Sequence, residues 1–131
     1  MSVLISSNCA PDPSKEIEEI LESSGLSLIN PAVKGKSGVV HVFNAVANDG
    51  DGTIFAVDVA HSNGPVDEIQ LLRFYVKCID TDPEKRILLC IPGANDAARR
   101  LAPVFGVTLV EGRDYFEALE GLRSVIKSRR V

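Results

Sequence analysis

Two apolar runs joined by a short polar turn constrain the fold more than any other feature of the sequence. The runs cover Val39–Val46 and Thr53–Ala60, and the segment Asn48–Gly52 between them reads Asn-Asp-Gly-Asp-Gly. Runs rich in Val, Ile and Phe on either side of such a turn are typical of a β-hairpin. Because both runs are apolar at nearly every position, we predict that both strands are covered on both faces.

The rest of the chain alternates helical and strand patterns, which predicts a mixed sheet with helices on both sides. The order is α-β-β-β-α-β-α-β-α, and the last strands should form a right-handed βαβ unit with parallel pairing. We predict one domain over residues 1–131, with a lead-in at 1–13 and a tail at 127–131. The other predicted elements are helix Lys15–Ser24 after the cap Ser14, strand Leu26–Ile29, loop Pro31–Gly38, a helix from Asp67 or Glu68 to about Asp80, strand Arg86–Ile91, a helix from Asn95 or Asp96 to Phe105, strand Val107–Val110 and a helix after Asp114.

Composition and charge exclude several classes of protein. The three cysteines form no CxxC or Cys/His cluster, so neither a disulfide framework nor a zinc site is indicated. A net charge of -4 argues against bulk attraction to nucleic acid or to an anionic membrane. The first ten residues lack the pattern of a signal peptide, and no apolar run is long enough to span a bilayer. We therefore expect a cytoplasmic protein without a membrane partner.

The chemistry-bearing positions of the hairpin lie at the ends of its strands. Side chains alternate along a strand, so Asp58 and Ala60 share one face. If paired residue numbers sum to an even value near 100, Asn44 lies on that face within reach of an ion held by Asp58. His41 and His61 then lie on the other face. Alternatively, Asp58 accepts a hydrogen bond from a loop amide or pairs with Lys34 or Lys36, because an unpaired buried carboxylate is costly.

The element order and several segments resemble the restriction-endonuclease-like superfamily, the PD-(D/E)xK nucleases, and in particular its Mrr-like and archaeal Holliday-junction-resolvase-like branches. The resemblance covers roughly residues 14–126. It rests on the segment Gly35–Asn44 (GKSGVVHVFN), on the strand that ends in Asp58-Val-Ala, and on the late patterns Ala97-Ala98, Gly106–Val110 and Tyr115–Leu119. It implies that the first strand carboxylate of the family falls on Asn44, the second on Asp58, the lysine on Ala60 and the helix glutamate near Glu18, Glu19 or Glu22.

The resemblance implies a degenerate site, since only Asp58 keeps the family chemistry on the strands. Mg²⁺ in such a nuclease would have Asp58 and Asn44 as ligands, with Glu18 as the helix glutamate. A replacement for the lysine is available on the next helix, where Gln70, Arg73 and Lys77 form a stripe, with Lys77 or Arg73 in the catalytic role. The alternative is that this stripe is the solvent side of an amphipathic helix.

Three functions remain open from the sequence. The first is a non-catalytic domain with a nuclease-like fold, for assembly or for recognition of a partner or nucleic acid, without a cofactor. The second is a Mg²⁺-dependent DNA endonuclease with a relocated lysine, and the third is a small-ligand-binding α/β domain. Nucleic acid, if bound, should contact Lys34, Lys36, Arg73 and Lys77. A homodimer through the final helix and the strand Val107–Val110 is also expected.

Overall fold

The structure, a computed structural model, describes residues 12–128 and contains a five-stranded mixed sheet with helices on both faces. The lead-in predicted over residues 1–13 therefore lies outside the described residues except for its last two. The elements are α1 Ser14–Ser23, β1 Ser27–Ile29, β2 Ala32–Lys34, β3 Val40–Val42, β4 Ala45–Asn48, β5 Ile54–His61, α2 Glu68–Thr81, β6 Lys85–Ile91, α3 Asp96–Leu101, β7 Val107–Glu111 and α4 Tyr115–Ser128.

The main sheet has the order β1-β4-β5-β6-β7, and β5 is its central strand. Strands β1, β4 and β5 pair antiparallel, whereas β5, β6 and β7 pair parallel. The predicted hairpin, the parallel βαβ half and the mixed sheet are confirmed. Parallel strands require a crossover connection, which α2 provides between β5 and β6 and α3 between β6 and β7.

Each face of the sheet has its own core because side chains alternate along β5. Phe55 and Val57 pack with the apolar residues of α1 and α4 on one face. Ala56, together with Leu88 of β6, packs with those of α2 and α3 on the other. Burial of a Leu- or Phe-sized side chain contributes about 1.5–3 kcal/mol, so both layers stabilise β5 from opposite sides.

The predicted strand Val39–Val46 is divided into two, which corrects the sequence prediction. Its first part, β3, pairs antiparallel with β2 in a separate two-stranded sheet, and β2 lies in the segment predicted as a loop. Only its second part, β4, joins the main sheet. The expectation of coverage on both faces consequently holds for β4 but not for Val39, Val40 and Val42, which are 54%, 56% and 62% exposed. An apolar run alone does not show that a small hairpin leaves the main sheet.

Two helix boundaries also differ from the prediction. Helix α3 ends at Leu101, and turns lead from there to β7. Helix α4 continues to Ser128, so Lys127 is helical rather than part of a tail, while residues 129–131 lie outside the described part of the chain. Within residues 12–128, no helix combines the length and the apolar character needed to cross a bilayer.

Candidate functional site around Asp58

Asp58 occupies the second half of β5, on the sheet face covered by α2. The register pairs Ala45 with Val57, so Asn44, one residue before β4, comes level with Asp58. The paired residue numbers thus sum to an even value close to the one assumed from the turn. The backbone therefore brings Asn44 and Asp58 side by side.

Both carboxylate oxygens of Asp58 already have donors within the protein. Oδ1 accepts a hydrogen bond from the backbone N–H of Asn44 at 2.8 Å. Oδ2 lies 2.5 Å from Nζ of Lys77, which projects from the second half of α2. Lys77 also donates to the backbone oxygen of Val42 at 2.6 Å and lies 4.5 Å from the centre of the Phe43 ring. Lys77 therefore ties α2 to β5 and to the end of β3.

The electrostatics of Asp58 are governed by its burial. Desolvation raises the pKa of this carboxyl, and the Lys77 ammonium and the Asn44 N–H offset the rise only in part. The side chains of Asp58 and Lys77 are only 15% and 23% exposed. In such a site the charged carboxylate depends on its partner, and removal of that partner leaves a charge that water cannot solvate well.

The Asn44 side chain contacts other groups than the Asp58 carboxylate. Its Oδ1 accepts a hydrogen bond from the backbone N–H of Val59 at 2.9 Å, and its Nδ2 donates to Oγ of Ser14 at 2.9 Å. The amide thereby bridges β5 and the first turn of α1. The structure thus does not bring Asn44 and Asp58 side chains onto a common ion position, because the main chain of Asn44, rather than its amide, meets Asp58.

A shallow depression of about 300 Å³ opens beside the ion pair. Gln70 and Arg73 line it, as the stripe on the predicted helix suggested, but Gln70 has a structural role as well: it completes a capping box with Asp67 at the start of α2. Arg73 is exposed. The remaining lining residues are Asp58, Val59, Ala60, His61, Phe74, Lys77 and Leu88.

The other predicted site residues lie elsewhere. Glu18 is half-buried on α1 one turn beyond Ser14 and does not line the depression. Lys34 and Lys36 are exposed on β2 and in the loop that follows. The expected pairing of Asp58 with Lys34 or Lys36 is wrong, because Lys77 takes that place, while the alternative of a loop amide is met by the N–H of Asn44.

The loop after β2 binds a second carboxylate, that of Asp80 near the end of α2, and sequence reasoning missed this contact. Asp80 accepts hydrogen bonds from the backbone N–H and Oγ of Ser37 at 2.9 and 2.6 Å, and it lies 2.8 Å from Nε2 of His41. These contacts, chiefly those from Ser37, lower the pKa of Asp80 to about 2. Gly35 was the signal in the sequence that another group approaches this loop closely, since a Cβ at this position would lie 2.0 Å from Oδ2 of Asp80.

The described residues offer little to a metal ion. Between residues 12 and 128, no group of three or more His, Cys, Asp or Glu side chains is arranged to hold one. Asp58 contributes one carboxylate, which Lys77 neutralises. The arrangement can hold α2, β3 and β5 together and present a depression lined by polar and charged side chains, among them the exposed Arg73.

Comparison with known proteins supports the fold but assigns no activity. No protein-family model matches the chain, and no curated protein matches it. The chain is similar to a solved structure, the crystal structure of the protein of unknown function AF1548, with a TM-score of 0.68 and 19% sequence identity. The match covers 85% of this chain and 63% of AF1548. At this identity the likeness shows the α/β fold alone.

Proposed function

We propose that the chain is a restriction-endonuclease-like domain that has lost phosphodiester hydrolysis and acts in assembly or partner recognition. The order of elements, the hairpin that places Asn44 level with Asp58, and the position of Asp58 on the central strand support the family assignment. The hydrogen bonds that occupy both carboxylate oxygens of Asp58 support the loss of catalysis.

The observation that carries the proposal is that each oxygen of Asp58 accepts a hydrogen bond from a protein donor. Mg²⁺ prefers several oxygen ligands, including one or two carboxylates, and it lowers the pKa of a bound water only once it is held. In this protein a metal ion at Asp58 would have to displace Lys77. The residue opposite Asp58 on the neighbouring strand segment is Asn44, whose side-chain amide is already hydrogen-bonded to Val59 and Ser14. Too little negative charge remains to hold the ion.

The test combines metal titration with cleavage assays. We expect no micromolar binding of Mg²⁺ or Mn²⁺ in calorimetry and no cleavage of plasmid, single-stranded or branched DNA. Micromolar binding that Asp58→Ala abolishes, together with metal-dependent turnover, would refute the proposal.

A second candidate, a nuclease with a relocated lysine, is favoured by one contact. Lys77 reaches Asp58 from α2, so an ammonium lies beside the strand carboxylate although Ala60 occupies the family's lysine position. In that role Lys77 would orient or deprotonate a water held by Mg²⁺. Metal-dependent cleavage lost in Lys77→Ala but kept in Lys127→Ala, a matched change at an exposed lysine of α4, would establish this candidate.

A further inference from the structure

A groove runs between α1 and α4, on the face of the sheet opposite to Asp58. Its floor is apolar and consists of Ile20, Phe116 and Leu119. It continues into a second hollow, because Phe116 and Leu119 line both. The two parts have volumes of about 440 and 400 Å³, which is in the range of clefts that bind ligands.

Phe116 is the most exposed apolar side chain of this groove. It lies in the first turn of α4 and is 73% exposed, whereas Leu119 in the next turn is half-buried. Residues 12–128 thus leave most of Phe116 uncovered. Burial of a side chain of this size is favourable, so the groove is suited to an apolar occupant.

The rim of the groove limits the charge of that occupant. Glu16 and Glu19 project into it from α1, and Glu120 and Arg123 project from α4. Arg123 lies 3.7 Å from Glu120, and Asp12 adds a further carboxylate beside the second hollow. Acidic side chains therefore outnumber basic ones, so the rim repels an acidic occupant and admits an uncharged or a basic one.

The course of the chain selects the occupant. Asp12, where the described part of the chain begins, lines the second hollow together with Pro13. Residues 1–11 are therefore covalently attached at the end of the groove. They contain no charged side chain, and their longest apolar run is Val3–Ile5.

The length of this attachment is sufficient. Ile5 precedes Asp12 by seven residues, a stretch that spans at most about 25 Å. Helix α1 has 10 residues and is about 15 Å long, so the run Val3–Ile5 can reach any point of the groove. A tethered segment has an effective concentration on the order of millimolar, which favours it over a partner from solution.

We propose that the apolar run Val3–Ile5 packs in the groove between α1 and α4 and covers Phe116. The contact joins the start of the chain to α4 as well as to α1. An external partner with an apolar segment must displace Val3–Ile5 before it can bind there, so the chain itself regulates access to the groove.

The first experiment measures how accessible the floor of the groove is in the full chain. The sequence contains no Trp, so Phe116→Trp introduces a single indole. In that background Val3→Asn/Ile5→Asn is the test and Ser6→Asn/Ser7→Asn is the matched control, because both pairs lie in one segment and neither changes the net charge. We expect a red shift of the indole emission and stronger quenching by acrylamide in the test variant alone.

A synthetic peptide of residues 1–11 provides a competition experiment. Added to the Val3→Asn/Ile5→Asn variant, it should restore the protection of the indole. In the chain with the unchanged segment, its apparent dissociation constant should be about tenfold higher or more, because only molecules with a free groove can bind it.

A bimane group on Cys9 shows which segment covers the groove. Cys9 can be labelled selectively near neutral pH, because burial raises the pKa of Cys78 and Cys90 to about 12. The introduced indole should quench the bimane to the same extent at every chain concentration, and this quenching should be lost in Val3→Asn/Ile5→Asn.

The proposal is overturned by an indole that is equally accessible in all three chains, or by equal effects of the two Asn pairs. Protection that rises with chain concentration would also overturn it, because a second copy would then cover the groove. Thermal melts of each variant by circular dichroism establish that the fold is retained. None of these outcomes depends on the metal titration or the cleavage assays, so this proposal and the loss of catalysis can fail separately.

Discussion

Asp58 and Asp80 are two carboxylates bound near the second half of α2, and their pKa values shift in opposite directions. Asp58 is buried on β5, and desolvation raises its pKa despite the neighbouring Lys77. The Asp80 carboxylate is hydrogen-bonded by the loop after β2, and the donors on Ser37 together with His41 lower its pKa to about 2. The two side chains are similarly exposed, at 15% and 17%. The difference shows that the balance between desolvation and the number of hydrogen-bond donors, rather than the presence of one cation, decides how readily a carboxylate holds its charge.

The largest expected effect is at Lys77, because its removal strips the buried Asp58 of its counter-charge. Lys77→Met should lower the free energy of unfolding by about 2–4 kcal/mol at pH 7. The double variant Asp58→Asn/Lys77→Met should recover most of the loss, since no buried charge remains. Chemical denaturation of the four members of this double-mutant cycle measures both values. Equal losses in the single and double Lys77 variants would show that Lys77 stabilises only through Val42 and Phe43.

The next effect concerns the loop around Asp80. Gly35→Ala would place a Cβ 2.0 Å from Oδ2 and 2.3 Å from Cγ of Asp80, so the carboxylate must move away from Ser37 and His41. We expect a loss of roughly 1–3 kcal/mol, in the range of substitutions that force a steric rearrangement. Gly64→Ala is the matched control, because nothing lies within 4 Å of a Cβ there. Denaturant midpoints of the two variants should differ clearly, and equal midpoints would contradict the close contact.

The contributions of Asp58 and Asp80 to the free energy of unfolding should change with pH in opposite directions. The lowered pKa of Asp80 gives stability that is present above the ordinary value of 3.8 and lost as the pH falls toward about 2. Asp80→Asn should therefore be less stable than wild type near neutral pH, with the deficit closing in acid. The raised pKa of Asp58 gives stability that is present below 3.8 and lost as the pH rises through its folded pKa.

Asp58→Asn should accordingly gain on wild type as the pH rises through that range. Unfolding free energies of both variants and of wild type at several pH values from 2 to 7 provide the measurement. Parallel trends in the two variants would show that one environment has been misjudged.

The smallest effect is expected for the lysines of the loop. The contact of Lys36 with α2 runs from its backbone N–H to the Asp80 backbone oxygen, and its side chain is exposed. Lys36→Ala should change the stability of the monomer by no more than about 0.5 kcal/mol. Comparison of its denaturant midpoint with those of wild type and Lys77→Met checks this value, and a loss as large as that of Lys77→Met would contradict it.

Much of the fold could be predicted because its signals are local. The turn at Asn48–Gly52, the alternation of helix and strand patterns, and the register that aligns Asn44 with Asp58 follow from residue type and spacing. The division of the run Val39–Val46 could not, since β-branched residues suit a small exposed hairpin as well as a buried strand.

The candidate site could likewise be predicted only in part from the sequence. The sequence singled out Lys77 as a replacement for the family's lysine, but it named Lys34 or Lys36 as the partner of Asp58, whereas Lys77 is the residue that pairs with it. It could not show that the Asn44 amide turns to Val59 and Ser14, or that the loop lysines leave Asp58 to Lys77. Such choices depend on which side chains the tertiary structure brings within hydrogen-bond distance, and spacing along the chain carries no information about them.

One lysine of α2, Lys77, contacts both the central strand β5 and the end of β3. A process that draws Lys77 away from Asp58 would also release the backbone oxygen of Val42, so the hairpin of β2 and β3 would lose a contact with α2. A single ammonium group in this way couples the central strand to the small hairpin.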